Sequence, residues 1–287
     1  MNEIIVTENL TKEYGKIKAV QNLNLNIHSG EVFGFLGPNG AGKTTTIRIL
    51  TTLTKPTSGK ALVNNFNVVT EAKKVKREFG IAQQHMSLDR DLNVIENMEL
   101  HARLHHIEAI ERKKRIQELL DFVGLTEYAD RMVMTLSGGL KKRATIVRAL
   151  IHRPKILFLD EPTVGLDAQT RRKIWELIRK LNSDGTSIFL TTHYIEEAEA
   201  LCNRVGILHQ GKLVTVGAPL ELRKKLGMFV VETLDAELGT QYKYFPDEKS
   251  AKKYVQILSQ NLKSIIIRES NLEDVFVELT GQKVSQD

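Results

Sequence analysis

Alternation of apolar and polar residues dominates the first part of the chain. In its clearest stretch Leu23, Leu25 and Ile27 alternate with asparagines, and a two-residue period is typical of a strand with one buried face. The same pattern extends over residues 2–27. We therefore predict antiparallel strands in this segment.

The pattern changes at residues 32–36, VFGFL, which are apolar on both faces. Such a run is typical of a strand buried in a parallel sheet. A glycine-rich turn follows, and Ile47, Leu50 and Leu53 then recur at helical spacing. A strand, a glycine loop and a helix in this order form the first half of a βαβ unit.

Helical and strand patterns alternate through the middle of the chain. Periodicity and capping residues predict three helices: residues 93–124 with a break near 107–109, the segment that Ser137 caps and Pro154 stops, and a segment around Trp175. Short apolar runs predict strands and a hairpin at 156–159, 187–191 and 205–216. Together these patterns indicate an α/β fold.

Residues 217–219, Gly-Ala-Pro, are the best candidate for a domain boundary. We expect a main domain at 1–217, with a helical subdomain at about 85–150, and a C-terminal accessory α+β domain at 218–287. The accessory part has predicted strands near 229–234 and 264–267.

A closing helix is predicted at the C-terminal side of those strands. Its apolar stripe consists of Leu272, Val275, Phe276 and Leu279. Ser270 and Glu273 have the S-x-x-E spacing of a capping box, so we expect them to cap this helix.

Composition narrows the class of protein. The 287 residues are 41% hydrophobic and 26% charged, which excludes a disordered or fibrous chain. The net charge of +6 suits an anionic partner. A single cysteine, Cys202, allows no internal disulfide, and we expect it to be a small buried apolar residue. Since no apolar run is long enough to span a bilayer and no signal peptide is evident, we expect a soluble intracellular protein.

A phosphate-binding loop is the strongest chemical motif. The pattern G-x-x-x-x-G-K-[ST] is matched by Gly37, Pro38, Asn39, Gly40, Ala41, Gly42, Lys43 and Thr44. Glycines let backbone N–H groups turn toward phosphate oxygens, and the following helix directs its positive end at them. We expect Lys43 to reach the β- and γ-phosphates and Thr44 to bind Mg²⁺.

Two acids follow the apolar strand at 156–159. Asp160 and Glu161 stand where parallel strands end, the edge at which such sheets bind ligands. We expect Asp160 to hold Mg²⁺ and Glu161 to act as the general base that polarises the attacking water.

These motifs, with residues 136–139 (LSGG) and 160–167 (DEPTVGLD), resemble the ATP-binding subunits of ABC transporters over residues 1 to about 217. The resemblance implies a P-loop NTPase fold of ABC type: a mixed, largely parallel sheet, an antiparallel β subdomain and a helical subdomain. It implies ATP and Mg²⁺ as cofactors. Leu140 stands where the family's signature often has glutamine.

The resemblance also assigns roles to single positions. Tyr14 matches the aromatic that stacks on adenine, and Thr45 a further nucleotide contact. Gln84 matches the glutamine that senses Mg²⁺ and the transmembrane partner, although the neighbouring Gln83 leaves this assignment open. His193 matches the histidine that contacts the γ-phosphate.

The resemblance extends to the surface with which the family contacts the phosphates of ATP bound to a second subunit. Ser137, Gly138 and Gly139 match the signature that caps the γ-phosphate of ATP bound to the other subunit, and Asp167 matches the aspartate that crosses the dimer interface. The resemblance thus implies that two copies sandwich two ATP molecules.

Residues 272–281 (LEDVFVELTG) narrow the resemblance to the daunorubicin-resistance branch of ABC-2-type exporters. This branch implies a separate integral-membrane permease as partner, a place on the inner face of the cell membrane, and no nucleic acid. The alternative is a soluble ABC-type ATPase that acts on ribosomes or DNA. A single ATPase module without a heptad run disfavours that alternative.

His101 and His105 are one helical turn apart, a spacing that can bind a metal ion, but no third ligand with suitable spacing is evident.

Overall fold

The computed structural model describes residues 2–83, 88–235, 239–258 and 262–281. The strands are β1 (Glu3–Tyr14), β2 (Ile17–His28), β3 (Val32–Leu36), β4 (Ser58–Val63), β5 (Phe66–Asn67), β6 (Phe79–Ala82), β7 (Ile156–Asp160), β8 (Ser187–Thr192), β9 (Arg204–His209), β10 (Lys212–Gly217), β11 (Phe229–Asp235), β12 (Gly239–Phe245) and β13 (Leu262–Glu269). The α-helices are α1 (Lys43–Leu50), α2 (Ala72–Glu78), α3 (Val94–Leu104), α4 (Ala109–Val123), α5 (Gly138–Leu150), α6 (Ala168–Ser183), α7 (Ile195–Leu201), α8 (Pro219–Leu226), α9 (Glu248–Gln256) and α10 (Leu272–Thr280).

The first strands form an antiparallel sheet in the order β2-β1-β4-β5. β1 and β2 pair as a long hairpin, with Thr7 opposite Leu25 and Tyr14 opposite Ile17 next to the turn. The antiparallel strands predicted from the alternation over 2–27 are thus confirmed.

The central sheet has the order β10-β9-β3-β8-β7-β6. Its neighbours run parallel except for the β9–β10 hairpin. All residues of β3, β7 and β8 are buried, as strands covered on both faces must be. This places the carboxyl ends of three adjacent strands side by side.

Alternate residues of β3 enter two separate cores. Phe33 and Phe35 pack with Phe158 and Phe189 between the central and antiparallel sheets, with ring centroids 5.5–6.3 Å apart. Val32 and Leu36 face the helices on the opposite side. The two cores explain why residues 32–36 are apolar without interruption.

Helices α3, α4 and α5 pack against one another on the helix-bearing side. The predicted break near 107–109 is confirmed, since α3 ends at Leu104 and α4 begins at Ala109. His106, between them, has a φ of 56°. No helix within the described ranges has the length and apolar character needed to cross a membrane.

The C-terminal part contains a third sheet, β12-β11-β13, which is antiparallel. Helix α10 is bonded to this sheet through Asp274, whose two carboxylate oxygens accept from the Arg268 guanidinium of β13 at 2.8 Å each. It contacts α7 and α8, and the side chains of Leu272 and Phe276 are fully buried in the same core as the helices of the main domain. Leu222 of α8 is buried in that core as well, so the accessory region is anchored to the preceding part of the chain through two helices, α8 and α10.

Two expectations for α10 are wrong. Asn271, not Ser270, caps the helix, and Asp274, not Glu273, completes the capping box. The reason is that the buried Ser270 hydroxyl donates instead to the carbonyl oxygen of Gly227, at 2.6 Å. Leu279 is 48% exposed, because it lies in the last turn, beyond the buried core.

Candidate active site

The glycine loop between β3 and α1 owes its path to close backbone approaches. A Cβ at Gly42 would lie 2.2 Å from the carbonyl oxygen of Ala19, and Gly42 also has a φ of +106°. A Cβ at Gly37 would lie 2.3 Å from the carbonyl oxygen of Leu208. Side chains at these positions would push the loop away from the sheet, so glycine is required on steric grounds.

Lys43 begins α1 and turns its side chain back under the loop. Its Nζ donates to the carbonyl oxygens of Gly37, at 2.7 Å, and Pro38, at 3.2 Å, and lies 3.3 Å from Oε1 of Glu161. Burial lowers the pKa of the Lys43 ammonium, and the neighbouring Glu161 and Asp160 carboxylates oppose that shift. A cation is thus held at the base of a loop shaped for phosphate.

Asp160 ends β7 and faces the start of α1. Its Oδ1 accepts from the hydroxyl of Thr191 at 2.6 Å and lies 3.3 Å from the hydroxyl of Thr44. Thr191 belongs to β8, the neighbouring strand, so the sheet itself fixes this carboxylate. The pair of a threonine hydroxyl and a carboxylate is an all-oxygen donor set of the kind that Mg²⁺ prefers.

Glu161 is held in an uncommon backbone conformation, with a φ of 48°. Its N–H lies 3.1 Å from both the carbonyl and the hydroxyl oxygen of Thr191, and Nζ of Lys142, on α5, donates to its carbonyl oxygen at 3.3 Å. A non-glycine residue with positive φ needs such fixation, and strain of this kind clusters at functional sites.

His193 follows β8 and closes the site. Its Nδ1 lies 3.3 Å from Oε1 of Glu161, the same oxygen that contacts Lys43. The His193 side chain is 9% exposed, and its Nδ1 has no hydrogen-bond partner among the described residues. One carboxylate oxygen therefore stands between a buried ammonium and a buried imidazole.

A cavity of about 480 Å³ opens beside these groups. Thr44, Asp160 and Gln83 line it, together with four further side chains: Ile47, Arg48, Leu53 and Ile81. Gln84, assigned from the resemblance, lies outside the described residues. The placement of Gln83 next to Thr44 and Asp160 keeps open the assignment between the two glutamines.

The signature residues lie at the start of α5. Ser137 is the N-cap, exposed, and its Oγ accepts from the N–H of Leu140 at 3.4 Å. Gly139 is buried against Thr170, where a Cβ would lie 2.3 Å from Cγ2. Thr170 in turn donates to Asp167 from its hydroxyl at 2.6 Å and its N–H at 2.9 Å. The signature and Asp167 thus form one surface, joined through Thr170.

Tyr14 lies at the end of the β1–β2 hairpin. It is 45% exposed, and Ile17 opposite it is 69% exposed. The Lys12 ammonium lies 4.9 Å from the centre of the Tyr14 ring. An exposed ring of this kind is able to stack on a base, whereas a core tyrosine would not be accessible.

Sequence reasoning missed Thr191 and Lys142, which position the two acids. Thr191 lies in a strand whose residues are all buried. It contacts Asp160 and Glu161 only because β8 pairs with β7. Lys142 belongs to a basic run on α5, yet burial lowers the pKa of its ammonium against the opposing effect of Asp160, Glu197 and Glu161.

Known proteins resemble the chain over its whole length. The ABC transporter family profile matches residues 20–164. The Nod factor export ATP-binding protein I of Cupriavidus metallidurans is 38% identical over 301 residues, covering 99% of each chain. The daunorubicin/doxorubicin resistance ATP-binding protein DrrA of Streptomyces peucetius is 35% identical, over 96% of this chain and 92% of its own.

Solved structures agree in fold. A dimeric ATP-binding cassette in a post-hydrolysis state, bound to ADP and Pi, has a TM-score of 0.68 at 34% identity and covers 75% of this chain and 98% of its own. cbiO1 from Clostridium perfringens, part of the ABC transporter complex cbiONQ, has a TM-score of 0.72 at 30% identity, over 77% of this chain and 91% of its own. The expected fold class is confirmed.

Proposed function

The chain belongs to the ABC transporter family of ATP-binding proteins, and on that premise we propose that it hydrolyses ATP to power export through a separate membrane permease. The observation that carries the catalytic part is that Nζ of Lys43 and Nδ1 of His193 each lie 3.3 Å from the same carboxylate oxygen, Oε1 of Glu161. Phosphoryl transfer to water requires a cation that binds phosphate, a general base and a polar group at the γ-phosphate, and Lys43, Glu161 and His193 supply these three groups.

Residues 37–45 bind the phosphates in this proposal. The loop N–H groups and the start of α1 supply donors and positive potential, and Lys43 supplies a full charge. Tyr14 stacks on the adenine ring. The glycines support the proposal because Gly37 and Gly42 leave space for backbone alone.

Thr44 and Asp160 would hold Mg²⁺, because their oxygens lie 3.3 Å apart at one edge of the cavity. When bound, the ion supplies charge neutralisation at the phosphates. Gln84 is part of the proposed set on the strength of the resemblance.

In the proposed mechanism, Glu161 and its neighbours catalyse hydrolysis. The carboxylate accepts a proton from water, while His193 holds the γ-phosphate end of the substrate. Thr191 and Lys142 fix the backbone of Glu161 through its N–H and its carbonyl oxygen. These are positioning residues, because they contact Glu161 and not the reacting atoms.

A second copy of the chain completes each site. Ser137, Gly138 and Gly139 would read the γ-phosphate of ATP held by the partner, with Asp167 at the interface. The exposed Ser137 and Asp167, joined through Thr170, support this, and a solved relative is a dimer with ADP and Pi. ATP would close the pair, and hydrolysis would release it.

The permease, a place on the inner face of the membrane and the class of cargo are proposals from relatives. Proteins covering nearly the whole chain are named for Nod factor export and for resistance to daunorubicin and doxorubicin. No observation favours the alternative of action on ribosomes or DNA.

The test measures nucleotide binding and ATPase activity of the purified chain. Lys43→Ala should lose binding, whereas the exposed Lys60→Ala should retain it and serves as a matched control. Equal ATP affinity in the two variants would contradict the phosphate-loop assignment. Recovery of the chain with an integral-membrane protein, after mild detergent extraction, tests the permease; recovery with ribosomes or DNA instead would contradict export.

A further inference from the structure

Three histidines meet in a second cavity, which adjoins β6, the edge strand of the central sheet. His101 lies on α3, His105 is its C-cap residue, and His152 follows α5. One ring nitrogen from each lies within 4.8 Å of the other two. The rings of His105 and His152 are stacked, with centroids 3.9 Å apart at 9°. The third ligand, which the spacing of His101 and His105 did not reveal, is thus supplied by tertiary packing.

The histidines are neutral at physiological pH. Burial, with the charge of nearby Arg148, lowers the pKa of His101 to about 3, and burial lowers that of His105 to about 4. The pKa of His152 is lowered as well, again by burial. A neutral imidazole presents a lone pair, which is the form in which histidine binds metal ions.

His152 is already oriented as a ligand. Its Nε2 lies 2.9 Å from the carbonyl oxygen of Phe79, on β6, and donates to it. Its buried Nδ1 then carries the lone pair and has no hydrogen-bond partner within the described chain. Metal-binding histidines use this arrangement, in which a carbonyl on one ring nitrogen fixes the tautomer and directs the other toward the ion.

We propose that His101, His105 and His152 form a binding site for a first-row transition-metal ion, with Zn²⁺ as the cellular ligand. Three imidazoles suit Zn²⁺, Ni²⁺, Co²⁺ and Cu²⁺, whereas Mg²⁺ and Ca²⁺ need oxygen ligands. No carboxylate lines this cavity in the described part of the chain. Its ligands differ from the oxygen set of Thr44 and Asp160, although the two cavities share Leu53, Ile81 and Gln83 in their linings, and the site does not depend on the proposed function.

Metal binding requires the three rings to move. Bonds of about 2.0–2.1 Å to a tetrahedral ion place ligand nitrogens roughly 3.4 Å apart, so nitrogens within 4.8 Å of one another must close by up to about 1.4 Å. The rings of His105 and His152 must also rotate out of their parallel stack, because the lone pair of an imidazole nitrogen lies in the plane of its ring. The cavity of about 290 Å³ leaves space for water as the fourth ligand. Lys76 and Arg148 also line it, and their charge reduces the affinity for any cation.

Such an ion would tie α3 to the end of α5, and through the Nε2 bond of His152 to β6. Gln83 directly follows β6 and lines the cavity beside Thr44 and Asp160. Metal binding would therefore stabilise the packing of the helices against the edge of the central sheet.

The experiment titrates the full chain, purified without a histidine tag, with Zn²⁺ by calorimetry and with Co²⁺ by visible absorption, in excess Mg²⁺. One ion per chain should bind and raise the Tm, and Co²⁺ should give the intense bands of a four- or five-coordinate ion. His101→Gln and His105→Gln should each weaken binding at least ~10-fold. Lys76→Gln should tighten it.

His106→Asn is the matched control. His106 is an exposed neighbour with a φ of 56°, which asparagine tolerates, so binding should not change. Unchanged affinity in both glutamine variants, octahedral Co²⁺ bands, or displacement of the ion by Mg²⁺ would overturn the proposal. So would the absence of Zn²⁺ binding by the folded wild-type chain.

Discussion

Lys43 and Glu161 form a buried ion pair across the candidate active site. Nζ and Oε1 are 3.3 Å apart, and the side chains are 4% and 7% exposed. Neither charge would be stable alone at such burial, because desolvation of an isolated ion is costly. The residue that is proposed to activate water is thus also a counterion for the residue that is proposed to bind phosphate.

Glu161→Gln should separate binding from hydrolysis. Glutamine retains the size of the side chain but accepts no proton, so turnover should fall at least ~10²-fold while ATP still binds. The variant should also trap an ATP-bound dimer. Steady-state ATPase assays and gel filtration with ATP measure the two effects. Near-normal turnover would remove Glu161 from the role of general base, and the exposed Glu176→Gln serves as the control.

The same variant should be less stable without nucleotide. Its loss of unfolding free energy should stay below the ~3–5 kcal/mol of a fully broken buried pair, because the carbonyl oxygens of Gly37 and Pro38 still accept from Lys43. Added ATP should restore more stability to this variant than to the wild type. Denaturant titrations with and without ATP make the comparison.

Tyr14→Ala should weaken ATP binding by ~1–3 kcal/mol, the range of base–aromatic stacking. Tyr14→Trp should be tolerated, because it retains an aromatic face at the same exposed end of the β1–β2 hairpin. Equilibrium binding of a fluorescent ATP analogue measures both. Equal losses in the two variants would indicate that Tyr14 only supports the hairpin.

Much of the candidate active site was predictable because its residues lie in local motifs. Gly37 to Thr44 are consecutive, and Asp160 and Glu161 end a strand whose apolar run marks it as buried. The contacts between these two segments depend on the order of strands. Thr191 reaches Asp160 only because β8 lies beside β7, and that order is not written in the periodicity of either strand.

Errors and omissions fall where local patterns compete. Ser270 has the sequence of an N-cap, but its hydroxyl is taken by Gly227 in tertiary contact. β12 and α9 were not predicted, since most β12 side chains are exposed and leave no apolar alternation. His152 could not be joined to His101 and His105, because the approach of α5 to α3 is a matter of packing.

Acid should destabilise the chain through the histidine cluster. His101 and His105 have pKa values of about 3 and about 4 when folded, below the ~6.5 of an unfolded histidine. The unfolded state then binds more protons below pH ~6.5, so stability should fall as the pH decreases, by at most ~1.4 kcal/mol per pH unit for His101 and by less for the more exposed His105, which solvent screens. His101→Gln combined with His105→Gln should flatten this dependence. Unfolding titrations at pH 5 and pH 7 that show no difference in slope between variant and wild type would contradict the assignment.

Phe276→Ala should test how the accessory region is anchored. The Phe276 ring is fully buried and lies 6.0 Å from that of His209, on β9. Removing it should cost ~3–5 kcal/mol of unfolding free energy. Leu279→Ala, at a 48% exposed position of the same helix, should cost far less. Similar losses would mean that α10 does not pack as described.

A chain ending near Ala218 should still bind ATP if it folds, because the phosphate loop lies in the main domain. Complete loss of ATP binding by the folded, shortened chain would contradict the domain boundary.

The last prediction is that each ATP site is shared between two chains. Ser137 begins α5 on the exposed surface that Thr170 joins to Asp167, and one chain carries only one phosphate-loop lysine. Ser137→Arg should therefore abolish hydrolysis while ATP binding to the monomer stays almost intact. Ser183→Arg, an exposed serine at the opposite end of α6 from Asp167, places the same side chain far from the surface and should leave both unchanged.

Mixing resolves how the defects combine. A dimer of one Ser137→Arg chain and one Lys43→Ala chain has one site with both defects and one with neither, so some ATPase activity should return to two inactive proteins. Recovery that rises with protein concentration would place both halves in one assembly. If the two sites must act together, the mixture stays inactive, and the single variant then decides. Wild-type turnover by purified Ser137→Arg protein would show that one chain hydrolyses ATP without its partner's signature.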